Sequence, residues 1–364
     1  MDWESEGLLD DCADDAARTA RRQLLDRLHG EGVPLEQLRR AVEQGRLALL
    51  PVERLLASEP KYTAREIVEK SGLELELFQA HRRALGLAVP GPDERVYGEE
   101  DLEAARMGTQ HQAAGLPDEE AMKAQRVLGQ GMARYAEAIR TLLGDTFLEG
   151  GTDEHELAHR IERASRILLP LAGPWLEHVF ALHMREVLRQ EVISAEQLAT
   201  GRIGNGRDTA VAFADLVGFT ELGETIPSEE LGTVAGRLSR LAEDAIEPPA
   251  KIVKEIGDAV MLVAPAPAAL VETALRLVEG GEEGLPAIRV GIAYGPAVNR
   301  WGDWYGSTVN VASRLTERAR PASVLTTEDV RTAAGDDYAW SFAGDKLLKG
   351  LSTPLKTYRA RRAG

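Results

Sequence analysis

The sequence predicts an α+β protein in two parts, an all-helical N-terminal region over residues 1–190 and a region of mixed strands and helices over residues 207–364. Three observations predict it. Up to residue 190 apolar residues recur at three- and four-residue intervals, the period of a helix with one buried face. Gly201, Gly204 and Gly206 then interrupt the pattern. From residue 207 short apolar runs alternate with longer amphipathic stretches, as in a sheet covered by helices.

Composition bounds the function. A chain of 364 residues exceeds one typical domain, and 44% hydrophobic residues are ample for a packed core. No run approaches the ~18 uninterrupted apolar residues of a membrane span, so none is expected. The first residues, MDWESEGLLDD, are acidic where a secretory leader is basic. Cys12 is the only cysteine, which excludes an intrachain disulfide and a cysteine-rich metal site. A cytoplasmic protein is expected. Of the net charge of −16, residues 1–200 carry −13 and residues 201–364 carry −3. So acidic a first half repels phosphate backbones and anionic lipid, and nucleic acid is an unlikely partner. All seven histidines precede residue 184.

Along the first half, residues 13–58 predict helices through Leu24, Leu25 and Leu28 and through Leu35, Leu38 and Val42, with Pro34 and Pro51 at helix starts. Residues 62–106 (YTAREIVEK, SGLELELFQAHRRALGL, RVYGEEDLEAAR) resemble the winged helix-turn-helix of MerR-type regulators. There Thr63 would cap the first helix and Gly72 would sit in the turn. Arg82 and Arg83 are the only basic residues among the charges of the second helix, against Glu74 and Glu76, so a packing scaffold is favoured over DNA reading. Residues 118–148 and 152–190 continue as helix. In the latter, Leu176, Val179, Phe180, His183, Met184 and Leu188 share a broad apolar side. Core packing is the default for that side, with a pocket for a fatty-acid-like ligand as the second expectation. Residues 191–206 are assigned as a linker or hinge.

In the second half strands are expected at 209–215, 251–256, 259–264, 287–294, 322–326, 338–342 and 355–360, and helices at 227–247, 266–279, 308–318 and 327–333. Asp215 ends an apolar strand, and Asp258 follows Gly257 at a hairpin tip. Carboxylates at adjacent strand ends can share a pair of divalent ions, and Mg²⁺ suits such oxygen ligands. Asn310 and Arg314, four apart, share a helix face.

The segments VAFADLVGFTEL (Val211–Leu222), KEIGD (Lys254–Asp258) and GDWYGSTVNVASR (Gly302–Arg314), in that order, resemble the catalytic domain of class III nucleotide cyclases. The resemblance implies a ferredoxin-like βαββαβ core over 207–364. It implies two divalent ions (Mg²⁺ or Mn²⁺) on Asp215, Asp258 and the backbone carbonyl of Leu216. Lys254 and Asp303 match the positions that select the purine. A lysine donor and a carboxylate acceptor complement adenine, whereas guanine reverses both groups, so ATP is expected over GTP. Asn310 would orient the ribose, Arg314 would stabilise charge on the α-phosphate, and Lys349, with Lys346 as rival, would hold the terminal phosphates. Ala293, in RVGIAYGPAV, stands where a histidine is often found. The family places the metal carboxylates and the remaining residues on opposite subunits, which implies a homodimer.

The whole chain resembles soluble two-domain cyclases of mycobacterial type, whose N-terminal helical domain is autoregulatory and pH-responsive. An adenylyl cyclase regulated by residues 1–190 is therefore expected. The alternatives are a MerR-like regulator with a nucleotide-sensing dimeriser and a degenerate scaffold. His178 and His183, nearest the hinge on an apolar helix, are the expected pH-responsive residues, because protonation there would carry a desolvation cost.

Overall fold

The computed structural model describes residues 1–56, 60–147, 152–190, 207–281 and 284–363, so the expected hinge at 191–206 lies outside the described residues. The chain divides into two compact units, Met1–Val192 and Ile193–Gly364.

The first unit is helical: α1 (Asp15–Gly30), α2 (Leu35–Glu43), a 3₁₀ turn (Leu47–Leu49), α3 (Leu50–Leu56), α4 (Ala64–Ser71), α5 (Leu75–Ala84), α6 (Glu99–Ala113), α7 (Asp118–Phe147) and α8 (Glu154–Gln190). Asp14 starts α1 by accepting a hydrogen bond from the Ala17 N–H at 2.8 Å. Leu24, Leu25 and Leu28 of α1 form a core with Trp3, Leu9, Leu38 and Leu47. Each such side chain, once buried, contributes about 1.5–3 kcal/mol. The first turns of α8 close this core through buried Ala158. They are tied to α1 by Arg21–Glu154 (2.7 Å) and Arg27–Glu162 (3.1 Å).

Helices α4 and α5 form a helix-turn-helix pair. Thr63 and Glu66 make a reciprocal capping box, and Gly72 ends α4 at φ 77°, in the left-handed region glycine tolerates. Tyr97, buried against Phe78, forms an isolated antiparallel bridge with Tyr62. Arg82 does not face outward. Its guanidinium lies 5.0 Å from the Tyr97 ring centroid and donates to Asp101 at 2.9 Å and to the Ala88 carbonyl at 3.2 Å. That engagement leaves the second helix with Arg83 as its exposed arginine.

Helix α8 departs from expectation in two ways. Its apolar side was expected to be buried or to line a pocket, yet in the single chain Phe180, His183, Met184 and Leu188 are exposed and only Leu176 and Val179 are half-buried. Ile167, Leu168, Leu171 and Trp175 nearby are each more than half exposed as well. A cavity of about 450 Å³ does open in this unit, between α5 and α7, but no residue of α8 lines it and Arg83 and Arg126 do. The fatty-acid expectation thus loses the feature that motivated it. The helix runs through Pro170 and Pro174, so the apolar residues on either side share one 37-residue element. By length and composition alone Glu154–Arg189 could cross a membrane, although charged residues interrupt its apolar runs. Its ion pairs to α1 assign its first turns to protein packing.

The second unit holds β1 (Arg207–Leu216), α9 (Phe219–Leu222), α10 (Ser228–Ala245), β2 (Lys251–Ile256), β3 (Ala259–Ala264), α11 (Pro267–Glu279), β4 (Ile288–Arg300), β5 (Asp303–Tyr305), α12 (Ser307–Arg318), β6 (Ser323–Thr327), α13 (Glu328–Ala334), β7 (Tyr338–Lys346) and β8 (Leu355–Arg362). The α+β class and the alternation of strands and helices match expectation; the short β5 and α9 were not anticipated. The sheet runs β2-β3-β1-β4-β6-β8-β7, with β5 paired to β4. Among the described strands only the β4–β6 pairing is parallel.

Successive residues of a strand face opposite sides of a sheet, and β1 uses both sides. Ala210, Ala212, Ala214 and Leu216 meet α10, α11 and α13, while Val211 and Phe213 meet α12. Helix α12 presses so closely on β4 that a β-carbon at Gly291 would lie 2.3 Å from the Thr316 nitrogen and 2.6 Å from the Ala312 carbonyl oxygen. Thr316 secures the contact by donating to the Phe213 carbonyl at 3.1 Å. Gly291→Ala is therefore expected to push α12 off the sheet and destabilise the second unit by about 1–3 kcal/mol, visible as a lower midpoint in thermal or urea unfolding.

Candidate active site

Three groups of side chains gather on the second unit. The first is at the end of β1. Asp215 stands opposite Ala259 of β3 and Arg289 of β4. Gly257, at φ 62°, turns the β2–β3 hairpin, and the Leu216 N–H donates to the Asp258 carbonyl at 3.2 Å, fixing the hairpin tip against β1. Asp215 is 17% exposed, and Arg289 donates to its Oδ2 from Nε at 2.7 Å and from Nη2 at 2.5 Å. Burial pushes the Asp215 carboxyl above its ordinary range, the Arg289 guanidinium opposes this, and Asp258 adds to the rise. Two crowded carboxylates and a backbone carbonyl form an all-oxygen donor set, which fits a hard divalent cation. Among the described residues no group of three or more His, Cys, Asp or Glu could hold a metal. Further ligands would come from substrate and water, as is usual for Mg²⁺.

The second group is a polar pair. Lys254 of β2 donates to Asp303 Oδ2 at 2.5 Å, both side chains about one-third exposed. Asp303 Oδ1 accepts from the Trp304 N–H at 2.8 Å. Burial alone would raise the Asp303 carboxyl, but Lys254 and the Trp304 amide outweigh it and hold it below its ordinary range. The β4–β5 hairpin thus aims a fixed acceptor, and β2 a fixed donor, at one point.

The third group lies on α12 and the loop after β7. Asn310 is exposed and Arg314 half-buried one turn later. A β-carbon at Gly350 would lie 3.3 Å from Arg314 Nη1, so this loop packs on the guanidinium. Lys349, adjacent to Gly350, is exposed, whereas Lys346 is half-buried at the end of the β7–β8 ladder opposite Leu355. Among the described residues no hydrogen bond or ion pair joins the carboxylate group to the other two groups. Ala293 is buried against α12, so that position serves packing.

Arg289 is the site residue that the sequence analysis left without a role. It opens a recognisable strand, but its meeting with Asp215 depends on register. His178 and His183 are both exposed; the desolvation expected of them is absent in the single chain because the α8 stripe has no cover there.

Residues 1–188 match the family model described as adenylate cyclase regulatory domain, and residues 203–360 match the adenylate and guanylate cyclase catalytic domain. A pH-sensitive adenylate cyclase of Mycobacterium tuberculosis is 40% identical over 356 residues, covering 95% of this chain and 89% of that protein. An adenylate cyclase of Streptomyces griseus is 33% identical over 274 residues, covering 74% of this chain and 68% of that protein. Among solved structures, an adenylyl cyclase of P. aeruginosa is 22% identical with a TM-score of 0.39, covering 45% of this chain and 98% of that one. The chain belongs to the class III adenylate cyclases in which a helical regulatory domain precedes the catalytic domain.

Proposed function

We propose that the chain forms 3′,5′-cyclic AMP and pyrophosphate from ATP at two equivalent sites shared by the subunits of a homodimer, under control of its N-terminal unit. The ribose 3′-oxygen bonds to the α-phosphorus, the bond to the bridging oxygen breaks, pyrophosphate leaves, and the hydroxyl proton passes to solvent. The observation that carries this reading is the Lys254–Asp303 pair. Its donor and acceptor, held by backbone and sheet, match the N1 acceptor and exocyclic amine of adenine. Asp215, Asp258 and the Leu216 carbonyl would hold two divalent ions, Mg²⁺ or Mn²⁺, which when bound neutralise charge on the attacking and leaving oxygens. Asn310 orients the ribose. Arg314, permanently charged, stabilises the α-phosphate as charge builds on it. Lys349 takes the terminal phosphates; its exposure and its place beside the Arg314 loop favour it over Lys346.

Two observations support a dimer. Among the described residues the carboxylate group has no bond to the other two groups within one chain, so a second copy can complete each site. The apolar side of α8 also has the character of a surface that a partner covers. Control by pH is favoured by the pH-sensitive relative. The engaged Arg82 counts against the DNA-binding alternative.

Asp303→Asn and Lys254→Ala each leave a half-buried group mismatched. Each is expected to cut kcat/KM for ATP by about 10- to 100-fold and to narrow the preference over GTP, as steady-state assays with both nucleotides would show. Unchanged preference would remove the purine role. A second test concerns sharing. Asp215→Asn and Arg314→Ala chains should each be inactive alone. Co-expressed, they should recover about a quarter of wild-type activity, because half of the randomly paired dimers keep one intact site of two. No recovery, with mixed dimers demonstrated, would place each site within one chain.

A further inference from the structure

We infer that His81 is the proton-sensing residue of the regulatory unit, and that its protonation loosens the packing of α5, with α7 seated on its end, against α6. The link from this packing to cyclase activity rests on the proposed regulation by the N-terminal unit.

His81 sits near the end of α5, where three further elements meet. A β-carbon at Gly108 of α6 would lie 3.4 Å from its Cε1 and 3.6 Å from its Nδ1, and 3.5 Å from Leu73 in the α4–α5 turn. Helix α7 is seated hard on the end of α5, since a β-carbon at Gly129 would lie 2.4 Å from the Leu85 carbonyl oxygen. In this setting His81 Nε2 is covered and has no hydrogen-bond partner. One turn before Gly129 on α7, Gln125 Oε1 is likewise covered and lacks a donor. Neutral His81 thus sits in a closed arrangement that offers a proton on Nε2 no acceptor, and buried polar groups without partners mark the places where such packing yields.

The charged groups acting on the ring are few. Asp118, at the start of α7, favours the imidazolium, but Gln112 already donates to both its oxygens at 3.1 and 3.2 Å. His111 of α6 disfavours it. Arg82, next on α5, is turned to Tyr97 and Asp101. Burial is the largest influence and, with His111, outweighs Asp118, so the closed packing holds His81 below its ordinary 6.5. A loosened arrangement hydrates the ring and returns it towards 6.5, binding the proton more tightly. The closed packing is therefore intact above about pH 6.5 and weakens as pH falls from there towards the lowered value, by at most about tenfold in the open–closed equilibrium per pH unit.

The test uses the full chain at pH 7.5 and 5.5. Amide hydrogen exchange in α6 and α7, corrected for its intrinsic pH dependence, should rise on acidification, and cyclic AMP production from ATP with Mg²⁺ should change over the same window. His81→Phe, which keeps the apolar ring and removes the titrating nitrogens, should abolish both responses while the chain still makes cyclic AMP. His81→Lys should show acid-like exchange already at pH 7.5. If His81→Phe keeps the wild-type pH dependence of exchange, the inference is overturned. If exchange follows His81 while wild-type activity ignores pH, the regulatory reading fails and the packing switch stands. Histidine C2-proton NMR of the wild-type chain gives a check independent of any variant. His81 should titrate below 6.5, and titration at or above 6.5 would sink the idea.

Discussion

The catalytic unit depends on keeping a carboxylate ionised at the end of a nearly buried strand. Asp215 has lost most of its water, and a neighbouring carboxylate opposes its charge. A lone buried charge of this kind neutralises itself or breaks the packing around it. Arg289 prevents either outcome, and it can do so only because β1 and β4 pair in the register that sets residue 215 opposite residue 289. A slip of one residue would turn Asp215 to the other face, among the apolar side chains of α10 and α11. The core pattern of β1 and the electrostatics of its last turn therefore enforce the same register.

Small residues transmit that register to the rest of the site. The alanines of β1 let helices approach one face, and Gly291 lets α12 approach the other. The position of α12 fixes Arg314, and the loop at Gly350 is shaped around that guanidinium. A cyclase site asks for charges at set separations on different elements. Here the place of α12 is set by a backbone contact at Gly291 that admits no β-carbon, a stiffer constraint than a contact between long side chains.

Much of the second unit was legible in the sequence because its signals are local. Alternating apolar runs gave strands such as 251–256 and 259–264, and Gly257 gave the hairpin that carries Asp258. Lys254 and Asp303 were legible through family resemblance, although 49 residues separate them. Arg289 was not, because its partner is defined by register. The N-terminal unit was legible as helices and poorly legible as surface. Periodicity shows that α8 has an apolar side, but the same stripe at Phe180 and Leu188 serves a core, a lipid or a partner chain equally well. For the same reason sequence drew attention to His178 and His183, which sit on a conspicuous apolar helix but are exposed. His81 lies in a stretch rich in charge, and its ring is covered from α6 at Gly108, beside Leu73, which no local pattern reveals.

The distribution of titrating groups bears on where a response to pH can arise. The catalytic unit holds no histidine. Asp303 is held below the ordinary carboxylate range by Lys254 and the Trp304 amide, so this carboxylate stays ionised on acidification from neutral pH. Stabilised charges of this sort hold one protonation state across that range, and they make the pair a poor sensor. A sensor needs the opposite: a group whose charged form is penalised by its surroundings, so that a proton changes the packing. His81 has that character, with burial as the main cause and no partner for Nε2. The division of labour between the two units follows from this contrast. The catalytic unit satisfies its buried charges with ion pairs, and the regulatory unit leaves a buried nitrogen unsatisfied.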